Sequence, residues 1–174
     1  MNILITGGSG FIGRHLTQSL LADGHQVWIL SRAPQKMSVR PGIHPVGWDG
    51  RSDAGWGHLV NEMDAIVNLA GKSLASWPWT AATKQAFWDS RIRPGEALVA
   101  AIQKADRRPR VLLQSSGMNH YGLHGDLADE STPPADDFLA RLTVAWEAST
   151  RAVEDLGVRR VIIRSAVVLA RQGG

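Results

Sequence analysis

Three glycines near the start of the chain have the spacing of a phosphate-binding loop. Gly7, Gly10 and Gly13 form the pattern G-x-x-G-x-x-G directly after a β-rich run. Glycine at such positions permits a tight turn, lets the backbone approach a pyrophosphate, and lets the next helix pack closely against the strand. The N-terminus of that helix offers free N–H groups and a positive dipole end to the phosphates. The pattern predicts a dinucleotide site at Gly7, Ser9, Gly10, Phe11, Ile12 and Gly13, with an empty glycine-rich turn as the alternative.

The residues after the second predicted strand bear on which dinucleotide is bound. Ser31 and Arg32 follow the apolar run 27–30. Proteins that bind NAD usually place an acidic residue here for the ribose hydroxyls, whereas an arginine suits the 2′-phosphate of NADP. Ser31 can donate a second hydrogen bond to that phosphate. We therefore expect NADP, with NAD as the alternative cofactor, although Arg32 could also belong to an ordinary solvated loop.

A further apolar run ends in small residues that can line the same cleft. Leu69, Ala70 and Gly71 close the segment 64–71, whose continuous apolar stretch is typical of a strand that is covered on both faces. Backbone at the end of such a strand can contact the adenine and ribose of a dinucleotide. A buried strand that simply ends in a glycine turn is the alternative interpretation.

Strand and helix patterns alternate along the chain and predict the elements that position these residues. The β-rich runs are 2–6, 27–30, 46–48, 65–69, 111–114 and 160–164, and the run 167–169 either continues the last strand or begins another segment. Apolar residues at helical spacing predict helices at 11–22, at about 80–105 with an interruption at Pro94-Gly95, and at 138–156. Such alternation predicts a three-layer α/β Rossmann fold with a doubly wound parallel sheet.

Composition limits the remaining possibilities. The 174 residues, 44% of them hydrophobic and 20% charged, suit one soluble domain over residues 1–174, which the glycine pattern predicts to bind NAD(P). The chain stops at Gln172-Gly173-Gly174 directly after a strand, so we expect that a C-terminal part is missing. Absence of cysteine excludes disulfides and a cysteine nucleophile, and no histidine or carboxylate spacing predicts a metal site.

The expected partner is a small-molecule substrate rather than a macromolecule or a membrane. The net charge is +3, and the basic cluster 107–110 falls at a predicted helix-to-strand turn, which favours a solvated loop over nucleic-acid binding. No signal peptide or membrane-length apolar run is present, so we expect a cytoplasmic protein. Trp77 and Trp79, which flank Pro78, either pack in the core or form an aromatic wall of the cleft or a partner surface. Exposed aromatics would favour a homo-oligomer.

Several segments resemble the extended short-chain dehydrogenase/reductase superfamily, in its NAD-dependent epimerase/dehydratase group. The matching motifs are TGGSGFIG at 6–13, NLAG at 68–71, Ser115-Ser116 before Tyr121-Gly122, and DESTP at 129–133. Finer features resemble an atypical, nucleoside-diphosphate-sugar epimerase-like branch: Trp79 with Lys84, Ser90-Arg91, the stretch 137–140 leading to Trp146-Glu147, and the run 167–169 before a Gly-Gly. The resemblance implies cofactor contacts at Ser31, Arg32, Leu69, Ala70, Arg91 and Val168. In that branch the chain continues into a smaller substrate-binding part.

The catalytic pattern of the superfamily is missing. That pattern is a serine with Y-x-x-x-K, in which tyrosine moves a proton and lysine lowers the pKa of the tyrosine. Here Phe138 stands in the tyrosine position and Leu142 in the lysine position, and Tyr121 is the single tyrosine of the chain. Either Ser116 and Tyr121 act as substitutes just past the fifth strand, with His120 as a further acid or base, or the domain binds NADP without turnover.

Two functions therefore remain open. One is an NADP-binding epimerase- or reductase-like oxidoreductase that acts on a carbonyl or hydroxyl group, with nucleotide sugars among the candidate substrates. The other is a non-catalytic NADP-binding sensor or scaffold. The intact glycine loop agrees with both functions, and the missing Y-x-x-x-K pattern favours the second.

Overall fold

One parallel sheet organises the chain. The computed structural model describes residues 1–38, 40–122 and 127–170. Its six strands are β1 (Asn2–Thr6), β2 (Gln26–Ser31), β3 (Ile43–Gly47), β4 (Ala65–Asn68), β5 (Val111–Gly117) and β6 (Arg159–Ser165). They lie in the order β3-β2-β1-β4-β5-β6, so the strand order reverses between β1 and β4. This arrangement confirms the predicted doubly wound α/β Rossmann fold, and ligands of such sheets bind at the reversal point, beyond the carboxyl ends of the strands.

Three α-helices cover the two faces of the sheet. They are α1 (Phe11–Ala22), α2 (Ala81–Lys104) and α3 (Phe138–Ala148), with 3₁₀ turns at Pro34–Lys36, Gly57–Glu62, Met118–Tyr121 and Arg151–Val153. Local capping sets where the last two begin: Thr80 accepts from the N–H of Thr83, and Asp137 accepts from that of Ala140. Gly24 follows α1 in the left-handed conformation, with φ +77°. No helix among the described residues combines the length and apolarity that a bilayer crossing needs.

Two predicted helix boundaries are wrong. Helix α2 runs through Pro94 without interruption. Leu98 and Ile102, which follow the proline, are fully buried against the sheet, and the free energy gained by burying them exceeds the cost of a proline inside the helix. The predicted helix 138–156 instead ends at Ala148 and continues as a separate 3₁₀ turn. Ser149 donates its hydroxyl to the carbonyl of Trp146 at 2.7 Å, and such a side-chain bond competes with the helical backbone.

The strand predictions differ from the structure mainly at the sheet edges. Strand β3 begins at Ile43, earlier than the predicted 46–48, and includes Pro45. Proline weakens a strand signal in sequence, yet it is tolerated here because β3 is an edge strand. The run 167–169 lies outside the strands, after β6 has ended at Ser165.

The core lies on both faces of the sheet. Leu4, Ile66 and Leu112 point toward α2, where they pack with Leu98 and Ile102. Alternate residues of the same strands point toward α1 and form a second cluster of Ile3, Ile5, Val27, Ile29, Ala65 and Val67. Strand β4 is therefore buried on both faces, as its continuous apolar sequence predicts.

Candidate functional site

The loop between β1 and α1 is packed so closely that side chains do not fit at two of its glycines. Gly7 has φ +68°, and a Cβ atom there would lie 2.6 Å from the carbonyl oxygen of Leu69. A Cβ at Gly13 would collide with the carbonyl oxygen of Gly7 and lie 2.5 Å from the Cα of Gly8. Because the obstructing atoms are backbone, they cannot move aside cheaply. The glycines thus hold the turn against the start of α1 and against the loop after β4.

The first turn of α1 faces the carboxyl edge of the sheet with uncapped N–H groups. Its N-cap is Gly10, in extended conformation, and no side chain among the described residues caps this end. The first backbone bond of the helix runs from the N–H of Arg14 to the carbonyl of Gly10, at 3.0 Å. The N–H groups of Phe11, Ile12 and Gly13 precede that bond, so an anion at this end would satisfy them.

A buried chain of polar side chains supports the floor of the cleft. The Thr6 hydroxyl donates to Asn68 Oδ1 at 2.6 Å, and Asn68 Nδ2 donates to Gln114 Oε1 at 2.8 Å. All three side chains are fully buried, at the carboxyl halves of β1, β4 and β5. Buried polar groups that satisfy one another rigidify their surroundings. The sequence analysis did not predict these hydrogen bonds. The signal that could have revealed them is the presence of Thr6, Asn68 and Gln114, three polar residues, within otherwise apolar strand patterns.

The predicted contacts after β4 lie against the glycine loop. The Ala70 N–H donates to Thr6 Oγ1 at 3.2 Å, and the Leu69 N–H donates to the carbonyl of Thr6 at 3.1 Å. These bonds join the end of β4 to the end of β1. Gly71, the next residue after Ala70, lies against the guanidinium of Arg91. A Cβ atom added at Gly71 would be 3.3 Å from Cζ of Arg91.

Arg91 is a buried cation that no carboxylate among the described residues neutralises. It is 7% exposed, and its guanidinium lies over the ring of Trp146 with 5.0 Å to the centroid. Its hydrogen bonds to the Phe87 carbonyl and the Ser90 hydroxyl are long, at 3.3 and 3.4 Å. No ion pair joins it to a carboxylate in the part of the chain that the structure describes. Burial lowers its pKa to about 10, which reflects the cost of holding this charge without an anion.

Ser31 and Arg32 occupy the predicted place at the end of β2. The register pairs Thr6 with Leu30, so these two residues emerge beside the start of the glycine loop. Arg32 is exposed, and the hydroxyl oxygen of Ser31 accepts from the N–H of Ala33 at 3.1 Å, which leaves the hydroxyl hydrogen free to donate. Val168 is partly exposed in the segment beyond β6, and Gly173 and Gly174, which belong to the sequence motif there, lie outside the described residues.

The catalytic candidates meet at Glu147, near the end of α3. Ser116, at the end of β5, donates its hydroxyl to Glu147 Oε1 at 2.5 Å. Arg164, near the end of β6, donates to both carboxylate oxygens of Glu147, at 2.8 and 2.9 Å. The third nitrogen of its guanidinium, Nη1, donates to the hydroxyl oxygen of Tyr121 at 2.9 Å. The structure therefore brings Ser116 and Tyr121 together through an ion pair that sequence reasoning did not identify.

Charge is fixed in this cluster, which we name the Glu147 cluster (Ser116, His120, Tyr121, Glu147 and Arg164). Burial by itself would raise the pKa of Glu147, but hydrogen bonds from Arg164 and Ser116, together with the charge of Arg164, lower it below its ordinary value. Burial, reinforced by the nearby Arg164, lowers the pKa of His120, whose Nδ1 lies 4.0 Å from Glu147 Oε1. The cluster therefore holds an ionised carboxylate, a guanidinium and an imidazole that favours its neutral form.

The positions where the superfamily has its tyrosine and lysine are apolar. Phe138 begins α3 and packs edge-on against Trp79, with 6.1 Å between the ring centroids. Leu142, one turn later, is 2% exposed and belongs to the buried face of the helix. Lys84 of α2 lies over the Phe138 ring, with its Nζ 5.2 Å from the centroid. Neither helical position carries a group that could exchange a proton.

Comparison with known proteins agrees with this geometry. An epimerase family protein of Mycobacterium bovis is 38% identical over 99% of this chain, and the human epimerase family protein SDR39U1 is 36% identical over all of it. The chain spans 55% and 57% of the lengths of these two relatives. The crystal structure of human SDR39U1 with NADPH superposes with a TM-score of 0.81 and 35% identity, over 100% of this chain and 56% of that one.

A second solved structure and a family profile also match epimerase-type proteins. The nucleoside-diphosphate sugar epimerase of Corynebacterium glutamicum superposes with a TM-score of 0.82 and 30% identity, over 100% of this chain and 35% of that one. The sequence profile of the NAD dependent epimerase/dehydratase family matches residues 3–170, which include the glycine loop, Ser116, Tyr121 and Arg164. The chain belongs to the NAD-dependent epimerase/dehydratase family.

Proposed function

We propose that this chain binds NADP(H) beyond the carboxyl ends of β1, β2 and β4 and supplies the cofactor half of an epimerase-like oxidoreductase. The observation that carries the proposal is the β1–α1 loop, where backbone packing admits only glycine at two positions and leaves an uncapped helix N-terminus. Such a terminus suits a pyrophosphate. NADPH in the structure of the human relative supports a nicotinamide cofactor.

Each part of the cofactor has residues that suit it. The pyrophosphate would lie on Gly7, Ser9, Gly10, Phe11, Ile12 and Gly13, and the adenosine side on Leu69, Ala70 and Gly71. Arg91 would gain an anionic neighbour that the described residues do not give it, and Val168 would contact the cofactor, as the family resemblance implies. When bound, the reduced nicotinamide would supply a hydride to a carbonyl carbon, and the oxidised nicotinamide would accept one from a carbon that bears a hydroxyl group.

Arg32 and Ser31 favour NADP over NAD. An exposed guanidinium at the end of β2 can pair with a 2′-phosphate, and the free hydroxyl hydrogen of Ser31 can donate to the same group. An acidic residue, which would repel that phosphate, is missing from both positions. The cofactor is thus NADP, and NAD binds more weakly.

For catalysis we assign Tyr121 as the proton-transfer residue and Ser116 as its neighbour in the site. Because the Tyr121 oxygen accepts from Arg164, its own hydrogen remains free to donate to a substrate oxygen. Arg164 provides a fixed cation at the tyrosine hydroxyl, which is the place that lysine takes in Y-x-x-x-K. Ser116 donates to Glu147, so it can only accept from a substrate. The substrate class is a carbonyl or hydroxyl compound, with nucleotide sugars among the candidates, as the name of the Corynebacterium relative suggests.

A second candidate is a domain that binds NADP without turnover. The apolar Phe138 and Leu142 at the two positions where the family has its proton-transfer pair favour it. A Tyr121→Phe variant separates the two functions. If the chain is catalytic, the variant retains NADPH binding and loses NADPH oxidation with carbonyl substrates; if it is not, the unmodified protein shows no oxidation either.

The cofactor assignment is tested by titration with NADPH and NADH, followed through energy transfer from tryptophan to the reduced nicotinamide. Arg32→Ala should weaken NADPH binding by roughly 10- to 100-fold, as expected when a charge-assisted contact worth about 1.5–3 kcal/mol is lost. NADH binding should stay within about twofold, because NADH carries no 2′-phosphate. Arg159→Ala is the matched control, since that exposed arginine begins β6 at the opposite edge of the sheet. Equal weakening of NADPH and NADH would contradict the assignment.

A further inference from the structure

An aromatic cluster lies between the starts of α2 and α3. Trp79 packs edge-on against Phe87 at 5.4 Å and against Phe138 at 6.1 Å between ring centroids. Phe87 is fully buried, whereas Trp79 and Phe138 are half-buried and present their outer surfaces to solvent. The indole N–H of Trp79 donates to the carbonyl of Leu74 at 3.1 Å, which fixes the orientation of this ring. The cluster is therefore a preformed apolar surface.

Two lysines lie over this surface. Lys72 Nζ is 5.7 Å from the centroid of Phe87, and Lys84 Nζ is 5.2 Å from that of Phe138. No ion pair links either ammonium to a carboxylate within residues 1–38, 40–122 and 127–170. By contrast, Lys104 at the other end of α2 pairs with Asp53 at 2.7 Å. An ammonium held over a ring keeps its N–H donors available for an anion.

This aromatic–lysine surface (Lys72, Trp79, Lys84, Phe87 and Phe138) adjoins the proposed cofactor site. Lys72 directly follows Gly71, and its N–H donates to the Ser90 hydroxyl at 2.9 Å, which fastens the loop after β4 to α2. Phe138 stands in the tyrosine position of the family motif. The surface thus lies where the family resemblance places part of the substrate, and its apolar ring offers contact rather than a proton.

We infer that the aromatic–lysine surface is the substrate subsite, and that it takes an anionic carbonyl compound whose carboxylate is attached to a planar ring or next to one. The inference rests on the proposed function and narrows its substrate class. The half-buried faces of Trp79 and Phe138 take the ring, and Lys72 and Lys84 take the carboxylate. A neutral polyhydroxylated ring would leave both ammonium groups without an anion and would gain less from the apolar surface.

The test is ligand-observed saturation-transfer NMR on the 174-residue chain with phenylglyoxylate, an aryl keto acid. Its methyl ester keeps the ring and the carbonyl but removes the charge, and glyoxylate keeps the charge but removes the ring. Phenylglyoxylate should bind at least fivefold more tightly than either. The double substitution Lys72→Gln with Lys84→Gln should abolish the preference over the ester. Lys104→Gln, a lysine change at the far end of α2, should leave it intact.

A titration with NADPH on each variant separates this inference from the proposed function. Unchanged NADPH affinity in the double lysine variant, together with loss of phenylglyoxylate binding, supports a substrate subsite distinct from the cofactor site. Equal binding of phenylglyoxylate and its ester, or binding that survives the double substitution, overturns the inference and leaves the cofactor proposal standing. Absence of NADPH binding in the unmodified protein contradicts the proposed function, whatever phenylglyoxylate does.

Discussion

Substitution of Glu147 by Gln tests whether the Glu147 cluster holds the end of the sheet together. The glutamate side chain is 14% exposed and its partner Arg164 20%, so their ion pair is largely withdrawn from water. Glutamine keeps the shape and one acceptor oxygen, but its amide opposes the guanidinium with a second donor and leaves the charge of Arg164 unpaired. Breaking a fully buried ion pair costs about 3–5 kcal/mol, which partial exposure reduces here to roughly 2–3 kcal/mol.

The assay is equilibrium unfolding in urea, followed by tryptophan fluorescence, with a thermal scan as a second probe. Glu147→Gln should lower the free energy of unfolding by roughly 2–3 kcal/mol and Tm by about 5–10 °C. Asp53→Asn is the control, because it breaks the ion pair with the exposed Lys104 and should cost less than about 1 kcal/mol. A loss in Glu147→Gln no larger than in the control would refute the view that the cluster joins β5, β6 and α3.

Three further predictions concern acid, the glycine loop and the buried arginine. The free energy of unfolding should fall as the pH drops below about 4.5 and through the lowered pKa of Glu147, because the folded state binds a proton at Glu147 less readily than the unfolded chain does. A urea midpoint that does not change between pH 6 and pH 3 would contradict this. Gly13→Ala should lower the free energy of unfolding by about 1–3 kcal/mol and abolish NADPH binding. The control Gly24→Ala is strained by a φ of +77° but has open space around it, so it should lower the free energy of unfolding by about 1–2 kcal/mol and leave NADPH binding intact in the same titration. Arg91→Met should leave stability unchanged or higher, because it removes a buried charge that has no carboxylate partner among the described residues, yet it should weaken NADPH binding by roughly 5- to 30-fold; unchanged affinity would exclude Arg91 from the cofactor site.

Local sequence patterns predicted the architecture well because each depends on near neighbours. The glycine spacing, the continuous apolar run of β4 and the helical periodicity of α1 each report a property of a few adjacent residues. Alternation of such elements restricts a chain to few topologies, so the doubly wound parallel sheet could be predicted from the pattern. The predicted break at Pro94 was wrong for the opposite reason, since packing of a distant sheet face decided it.

The cluster that joins the catalytic candidates depends on long-range contacts. Glu147 and Arg164 are 17 positions apart, and Thr6 and Asn68 are 62 positions apart. Sequence reasoning named Ser116 and Tyr121 but could not see that a bidentate ion pair lies between them. A charged residue near the end of an apolar helix and another within a β-rich run are weak signals separately. They become informative only once the strand register brings β5 and β6 together.

The proposed function requires that a dinucleotide bind on the loop between β1 and α1. Backbone amide NMR of the uniformly ¹⁵N-labelled chain, recorded during titration with NADPH, tests it most directly. We expect saturable shifts that are largest at the amides of Phe11, Ile12 and Gly13, with smaller shifts at Arg32 and Ala70. Shifts that are absent from the glycine loop, or a titration without saturation, would contradict it.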